Sequence, residues 1–153
     1  MDMKKLVVLL ATGFGLGYSP VATGTVGSIL GVGLVAAMLP LPLGVQIAVA
    51  AVLSLLAIPI CHVAEAHFGK KDDGRIVADE YLTFPLCMLG LPWVEHPWLL
   101  GVAFVVNRVL DIVKPPPARQ SQSLKGGLGI VIDDVISSLY ALAVNHVIWL
   151  LAS

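Results

Sequence analysis

The chain has 153 residues, of which 58% are apolar and 12% charged, with a formal net charge of −1; that is the length of one domain, spanning 1–153. A mean hydropathy of +0.92 lies far outside the soluble globular range and predicts an integral membrane protein with little exterior domain. The near-neutral balance excludes the basic footprint of a nucleic-acid binder, and Cys61 and Cys87, isolated in apolar runs without metal-ligand spacing, read as small core residues.

Lys4 and Lys5 precede a short apolar run, Leu6 to Ala11, with a poor cleavage site after it. The run is therefore read as part of the working chain and not as a leader. Residues 13–28 are dense in Gly, Ser and Thr and are broken by Pro20. This predicts a tight loop leading into a helix from about Val26, with Thr25 or Thr23 as its N-cap. Free N–H groups there, with the Thr25 and Ser28 hydroxyls, can hold a phosphate oxygen. Gly27, Gly31 and Gly33 are equally suited to close helix packing in lipid.

The first crossing is expected over Val26–Leu39, which is short, and Leu43–Cys61 is the clearest span. A polar section runs from His62 to Glu80, followed by a short apolar segment from Tyr81 to Leu91. Trp93 and Trp98 then mark a turn at a membrane interface. Leu99–Val113 returns, a proline-rich loop covers Lys114–Lys125, and Gly129–Ala152 forms the last helix. Every Lys and Arg falls in the N-terminus, the 62–80 section or the stretch from Arg108 to Lys125. By the positive-inside rule those segments share the cytoplasmic face. The expectation is an all-α membrane bundle of about four to five short transmembrane helices, with its charges gathered on that face.

Asp79-Glu80 and Asp133-Asp134 are adjacent carboxylate pairs at the borders of apolar segments, and Asp111 lies three residues from both Arg108 and Lys114. Doublets of like charge repel unless a cation sits between them. Oxygen-rich sites suit Mg²⁺, which binds a few carboxylates together with substrate phosphate. Asp79, Glu80, Asp111, Asp133 and Asp134 are thus candidate metal ligands. Arg108, Lys114 and Lys125 are candidate phosphate contacts. Asp72 and Asp73 read as a turn whose carboxylates lie close enough in sequence to join such a site. His62, His67, His96 and His146 read as interfacial or core residues.

Three blocks carry a resemblance. The first is Gly13-Phe14-Gly15-Leu16-Gly17-Tyr18-Ser19-Pro20 with Gly24-Thr25-Val26-Gly27-Ser28; the second runs from Asp72 to Glu80; the third joins Arg108–Pro115 to Gly126–Asp134. In order and spacing they resemble the phosphatidylglycerophosphatase A family over nearly the whole chain. The resemblance implies a Mg²⁺-dependent lipid phosphatase of the bacterial inner membrane. Its substrate would be phosphatidylglycerophosphate and its products phosphatidylglycerol and phosphate, in phospholipid biosynthesis. It carries Asp79, Glu80, Asp133 and Asp134 over as catalytic candidates, and Thr25, Ser28, Arg108, Lys114 and Lys125 as substrate contacts. Asn107, Thr83, Thr23, Ala118 and Ser137-Ser138 depart from the family's pattern without removing a charged residue.

Two rival readings make different demands. A CDP-alcohol phosphotransferase needs a longer aspartate signature than Asp73-Gly74-Arg75 begins. A small carrier needs ionisable groups near mid-membrane, whereas these lie at segment borders. Assembly into a homo-oligomer is left open.

Overall fold

A computed structural model of the protein describes residues 2–153, and every regular element among them is helical. Asp2 caps α1 (Met3–Ala11) by accepting a bond from the Lys4 amide. The helix stops where Gly13, Phe14 and Gly15 all take positive φ. After a 3-10 turn at Leu16–Tyr18, α2 spans Thr23–Met38. It begins three residues before the expected Val26, and neither Thr23 nor Thr25 is its N-cap. Ala22, at φ 46° with no side-chain cap bond, precedes it instead.

α3 (Leu43–Phe68) outruns the expected span by two turns, because its last residues keep helical geometry until Gly69 closes it at φ 68° and bonds back to the Glu65 carbonyl. α4 (Ala78–Thr83) passes straight into a 3-10 turn at Phe84–Met88. α5 covers Trp98–Val113, a four-residue α6 covers Ala118–Ser121, and α7 covers Gly126–Ala152. α7 starts one turn earlier than predicted.

The apolar segment expected over Tyr81–Leu91 is not a regular helix. Its irregular backbone threads the middle of the bundle, with every residue from Ala78 to Met88 buried except the half-buried Glu80. Its course is set by contacts along α2 and α7. Gly24 lies against Glu80, Gly27 against Val77 and Gly31 against Phe84; a Cβ at these glycines would come within 2.1, 2.6 and 2.5 Å of those side chains. Gly24, Gly27 and Gly31 of α2 therefore serve close packing. At the far end, the Asn145 amide donates to the Cys87 carbonyl at 3.1 Å and the His146 ring to the Leu89 carbonyl at 2.9 Å. Broken backbone at membrane depth is tolerated only when protein satisfies it, and these two α7 side chains do so.

α3 and α7 are long and apolar enough to cross a bilayer, about 39 and 40 Å at 1.5 Å per residue. Their outward faces are hydrocarbon: Leu55 is 64% exposed, Leu150 72% and Leu151 84%. Exposed apolar faces on two helices of this length are compatible with association with a membrane. One end of the bundle carries the clustered charges. The other carries an aromatic group, with Trp149 stacked between His96 and Trp98 at 4.6 and 6.5 Å.

α3 and α7 approach closely at Gly127, where a Cβ would sit 1.9 Å from the Ile58 carbonyl oxygen. Gly127→Ala should destabilise the protein by about 1–3 kcal/mol through overpacking. Gly101→Ala, facing open space on α5, should be neutral or stabilising by up to about 1 kcal/mol. Denaturant titration in detergent compares them, and equal stability of the two variants would refute this packing account.

Candidate active site

The charged end is built by three helix termini. A loop delivers α4, and its last residues are tied to α1: the Val77 amide donates to the Ala11 carbonyl at 2.8 Å and the Tyr81 hydroxyl to the Leu10 carbonyl at 2.8 Å. Within that loop Asp73 grips Arg75 through Nε at 2.7 Å and Nη2 at 3.0 Å, and the guanidinium lies 4.0 Å over the Phe68 ring. These ties fix where Asp79 and Glu80, in the first turn of α4, come to rest.

α5 supplies Arg108, Asp111 and Lys114 from its last turns, at the i, i+3 spacing that stacks side chains along one face. Arg108 Nη1 reaches Asp111 at 2.9 Å and Glu80 at 3.4 Å. Lys114, at φ 50°, ends the helix and points its ammonium at Asp111, 3.4 Å away, and at Asp133. α7 supplies Asp133 and Asp134. Asp134 neighbours both Asp79 and Asp111 in the buried cluster. Asp79, Asp111, Asp133 and Asp134 are between 2 and 7% exposed.

Charge does not balance here. Five carboxylates (Asp79, Glu80, Asp111, Asp133, Asp134) meet two cations (Arg108, Lys114), a formal excess of three negative charges when all are ionised. Among the described residues, Asp79 and Asp134 have no cationic partner, and Asp79 Oδ1, Asp133 Oδ1 and Arg108 Nε are buried without a hydrogen bond. A buried, unpaired carboxylate costs several kcal/mol, so these groups fit a site completed by a cation and an anion. Among the described residues no group of three or more Asp, Glu, His or Cys side chains is arranged to hold a metal ion. Mg²⁺ does not require one, since it keeps several waters and takes only one or two carboxylates.

Seven of the residues expected in the site thus converge: Asp79, Glu80, Arg108, Asp111, Lys114, Asp133 and Asp134. Three sit apart from that ion-pair network. Thr25 is half-buried in the first turn of α2, beside the Gly24 that touches Glu80. Ser28 is fully buried and donates to the Gly24 carbonyl at 2.9 Å, so its hydroxyl is occupied within its own helix. Lys125 is exposed at the start of α7. One residue was not foreseen: Gln122, whose amide donates to Asp133 Oδ2 at 3.1 Å. It sits in a polar loop without periodicity, eleven residues from its partner, and nothing in the sequence marks it.

The phosphatidylglycerophosphatase A family profile matches residues 9–149. The chain belongs to the phosphatidylglycerophosphatase A family. A phosphatidylglycerophosphatase A of Escherichia coli is 33% identical over 141 residues, covering 92% of this chain and 81% of that one. One of Haemophilus influenzae is 39% identical over 148 residues, covering 94% and 90%. A Bacteroides thetaiotaomicron protein provisionally named a phosphatidylinositol-3-phosphatase is 34% identical over 142 residues, covering 89% of each. No solved structure matches the chain. Membership makes the protein an enzyme, a lipid phosphatase acting as a phosphatidylglycerophosphatase.

Four of the polar residues singled out in the sequence have partners in the fold. The Ser138 hydroxyl donates to Asn107 Oδ1 at 3.0 Å across the α5–α7 contact, and the Ser137 hydroxyl to the Leu110 carbonyl at 3.4 Å. Thr83 donates to the Asp79 carbonyl at 2.7 Å.

The Arg75 hydrogen bond holds the Asp73 carboxyl at about 2, below its usual 3.8. The pKa is depressed on folding, so this stabilisation is complete above about pH 4 and is lost as pH falls through about 2. Asp73→Asn should therefore lower the melting temperature at neutral pH, and the gap from the parent should close over that acid window. Melting curves between pH 2 and 7 check this. A gap independent of pH would show that the ion pair is not its source.

Proposed function

We propose that the charged end binds the phosphate of phosphatidylglycerophosphate together with Mg²⁺, at the cytoplasmic face of a bacterial inner membrane. Phosphatidylglycerol and inorganic phosphate are the products. The observation that carries the metal is the buried trio Asp79, Asp111 and Asp134, with two members lacking a cation, beside Arg108 with an unpartnered buried Nε. Asp79, Glu80, Asp111, Asp133 and Asp134 are the oxygen donors available to Mg²⁺. Bound there, the ion would neutralise phosphate oxygens and ease formation of the nucleophile.

The chain's own groups do the rest. Arg108 is fixed through Nη1 by Glu80 and Asp111, so its Nε edge remains to take a phosphate oxygen and to stabilise charge as the bond breaks. Lys114 lies between Asp111 and Asp133, adding a second positive charge. Asp134 is the carboxylate assigned to take a proton from the attacking water. Water oxygen bonds to phosphorus, the bond from phosphorus to the glycerol oxygen breaks, and that oxygen leaves as the alcohol with one proton. Thr25 and Lys125 border the same end, within reach of a headgroup.

The orientation rests on charge distribution. All nine Lys and Arg lie in the N-terminus, the 62–80 section or the stretch from Arg108 to Lys125, at the end of the bundle that holds the carboxylates. With those segments inside, α2, α3, the irregular segment, α5 and α7 make five passes. A carrier would need its ionisable groups near mid-membrane, and they are gathered at one end. The relative named for phosphatidylinositol 3-phosphate makes that lipid the second substrate to test, since the chemistry is the same and only the headgroup differs.

Phosphate release by purified protein from phosphatidylglycerophosphate and from phosphatidylinositol 3-phosphate, with and without Mg²⁺, is the decisive measurement. Release from the first lipid should require the metal and fall about 100-fold or more in Asp134→Asn. Metal-independent release, or full activity in the variant, would overturn this mechanism. Preference for the inositol lipid would overturn the substrate.

A further inference from the structure

Gln122 lies outside the family's charged motifs, yet it touches the site more closely than Thr25, Ser28 or Lys125. Asp133 is 2% exposed, and its two oxygens are treated differently. Oδ2 receives both the Lys114 ammonium and the Gln122 amide, the latter at 3.1 Å. Oδ1 is buried and has no partner among the described residues. A carboxylate held by two donors on one oxygen cannot rotate without losing both, so its other oxygen keeps a fixed direction.

The backbone is shaped to allow this. Gly129 stands one turn before Asp133 on α7, and a Cβ there would lie 2.0 Å from the Leu124 carbonyl oxygen and 3.4 Å from that of Gln122. Only glycine lets the end of the polar loop lie directly on the helix, and that closeness brings the Gln122 amide over Asp133. The loop is further stiffened as the Ser121 hydroxyl donates to the Ala118 carbonyl at 2.7 Å and the Ser123 hydroxyl to the Gln120 carbonyl at 2.8 Å.

We propose that Gln122 is a positioning residue of the active site: with Lys114 it occupies Asp133 Oδ2, so that Oδ1 is the oxygen presented to the cation. This rests on the Mg²⁺ reading above. The Gln122 amide supplies what a second Lys could not, a donor that orients the carboxylate without neutralising more of the charge the cation needs. Such supporting hydrogen bonds change metal affinity about 10- to 100-fold when removed.

The test is thermal stabilisation of the detergent-solubilised protein titrated with Mg²⁺ or Mn²⁺, which reads cation binding without turnover. Gln122→Ala should melt as the parent does without cation and should need at least about tenfold more cation for half-maximal stabilisation. Gly129→Ala should shift the titration the same way by lifting the loop, and Gln120→Ala, a neighbouring exposed glutamine, should not. In activity assays, Gln122→Ala should raise the Mg²⁺ requirement while leaving KM for the lipid near the parent's. A parent that responds to cation with an unshifted Gln122→Ala variant overturns this role alone. A parent with no cation response overturns the Mg²⁺ reading, and this role with it. A Gln122→Ala protein that melts lower without cation, with no change in its titration, makes the residue merely structural and also overturns it.

Discussion

Five carboxylates and two cations are packed out of water where α4, α5 and α7 meet. Each paired carboxylate is tolerated because Arg108 or Lys114 compensates it. Asp79 and Asp134 are not compensated, and a chain of this marginal polarity has nothing else nearby to offer them. Under the proposed Mg²⁺ reading, the uncompensated carboxylates would take a cation and the open Nε of Arg108 a phosphate oxygen. Burial makes each such interaction stronger than it would be in water.

Placing Asp79 and Glu80 at that junction requires backbone that is not a regular helix. A straight helix through the middle of the bundle would satisfy its own amides but would leave α2 no close approach. The chain instead combines a short helix with a 3-10 turn, against the glycine face of α2. The cost is carbonyls without intrahelical partners, and Asn145 and His146 meet that cost at the far end of α7. The same helix thus carries Asp133 and Asp134 near its start and the latch for the segment that bears Asp79 and Glu80. A shift of α7 would move both together, which keeps the distances within the site constant.

The relatives carry names for two different lipid headgroups at similar identity. That pattern fits a site whose charged core performs phosphate-ester hydrolysis and whose selectivity lies in its borders. In the proposed reading those borders would be Thr25, Lys125 and the polar loop. The polar pairs Asn107–Ser138 and Thr83–Asp79 reinforce the elements behind the core and touch no ligand-facing atom.

Much of this was legible in the residues themselves. High hydropathy and the absence of charged residues over Leu43–Cys61 mark a helix long and apolar enough to cross a bilayer. The adjacent pairs Asp79-Glu80 and Asp133-Asp134 mark where carboxylates gather, and i, i+3 spacing marks the Arg108–Asp111–Lys114 face. Other features depend on contacts that no local pattern encodes. Whether the glycines of α2 pack or bind was undecided until Glu80, Val77 and Phe84 were found against them. The start of α2 at Thr23 follows from a left-handed Ala22, a conformation that local propensity disfavours. Gln122 reaches Asp133 only because Gly129 lets two stretches of backbone touch. Sequence determined which charges must be neutralised, because charge is a property of each residue; tertiary structure decided which atoms neutralise them, because direction and distance belong to the folded chain.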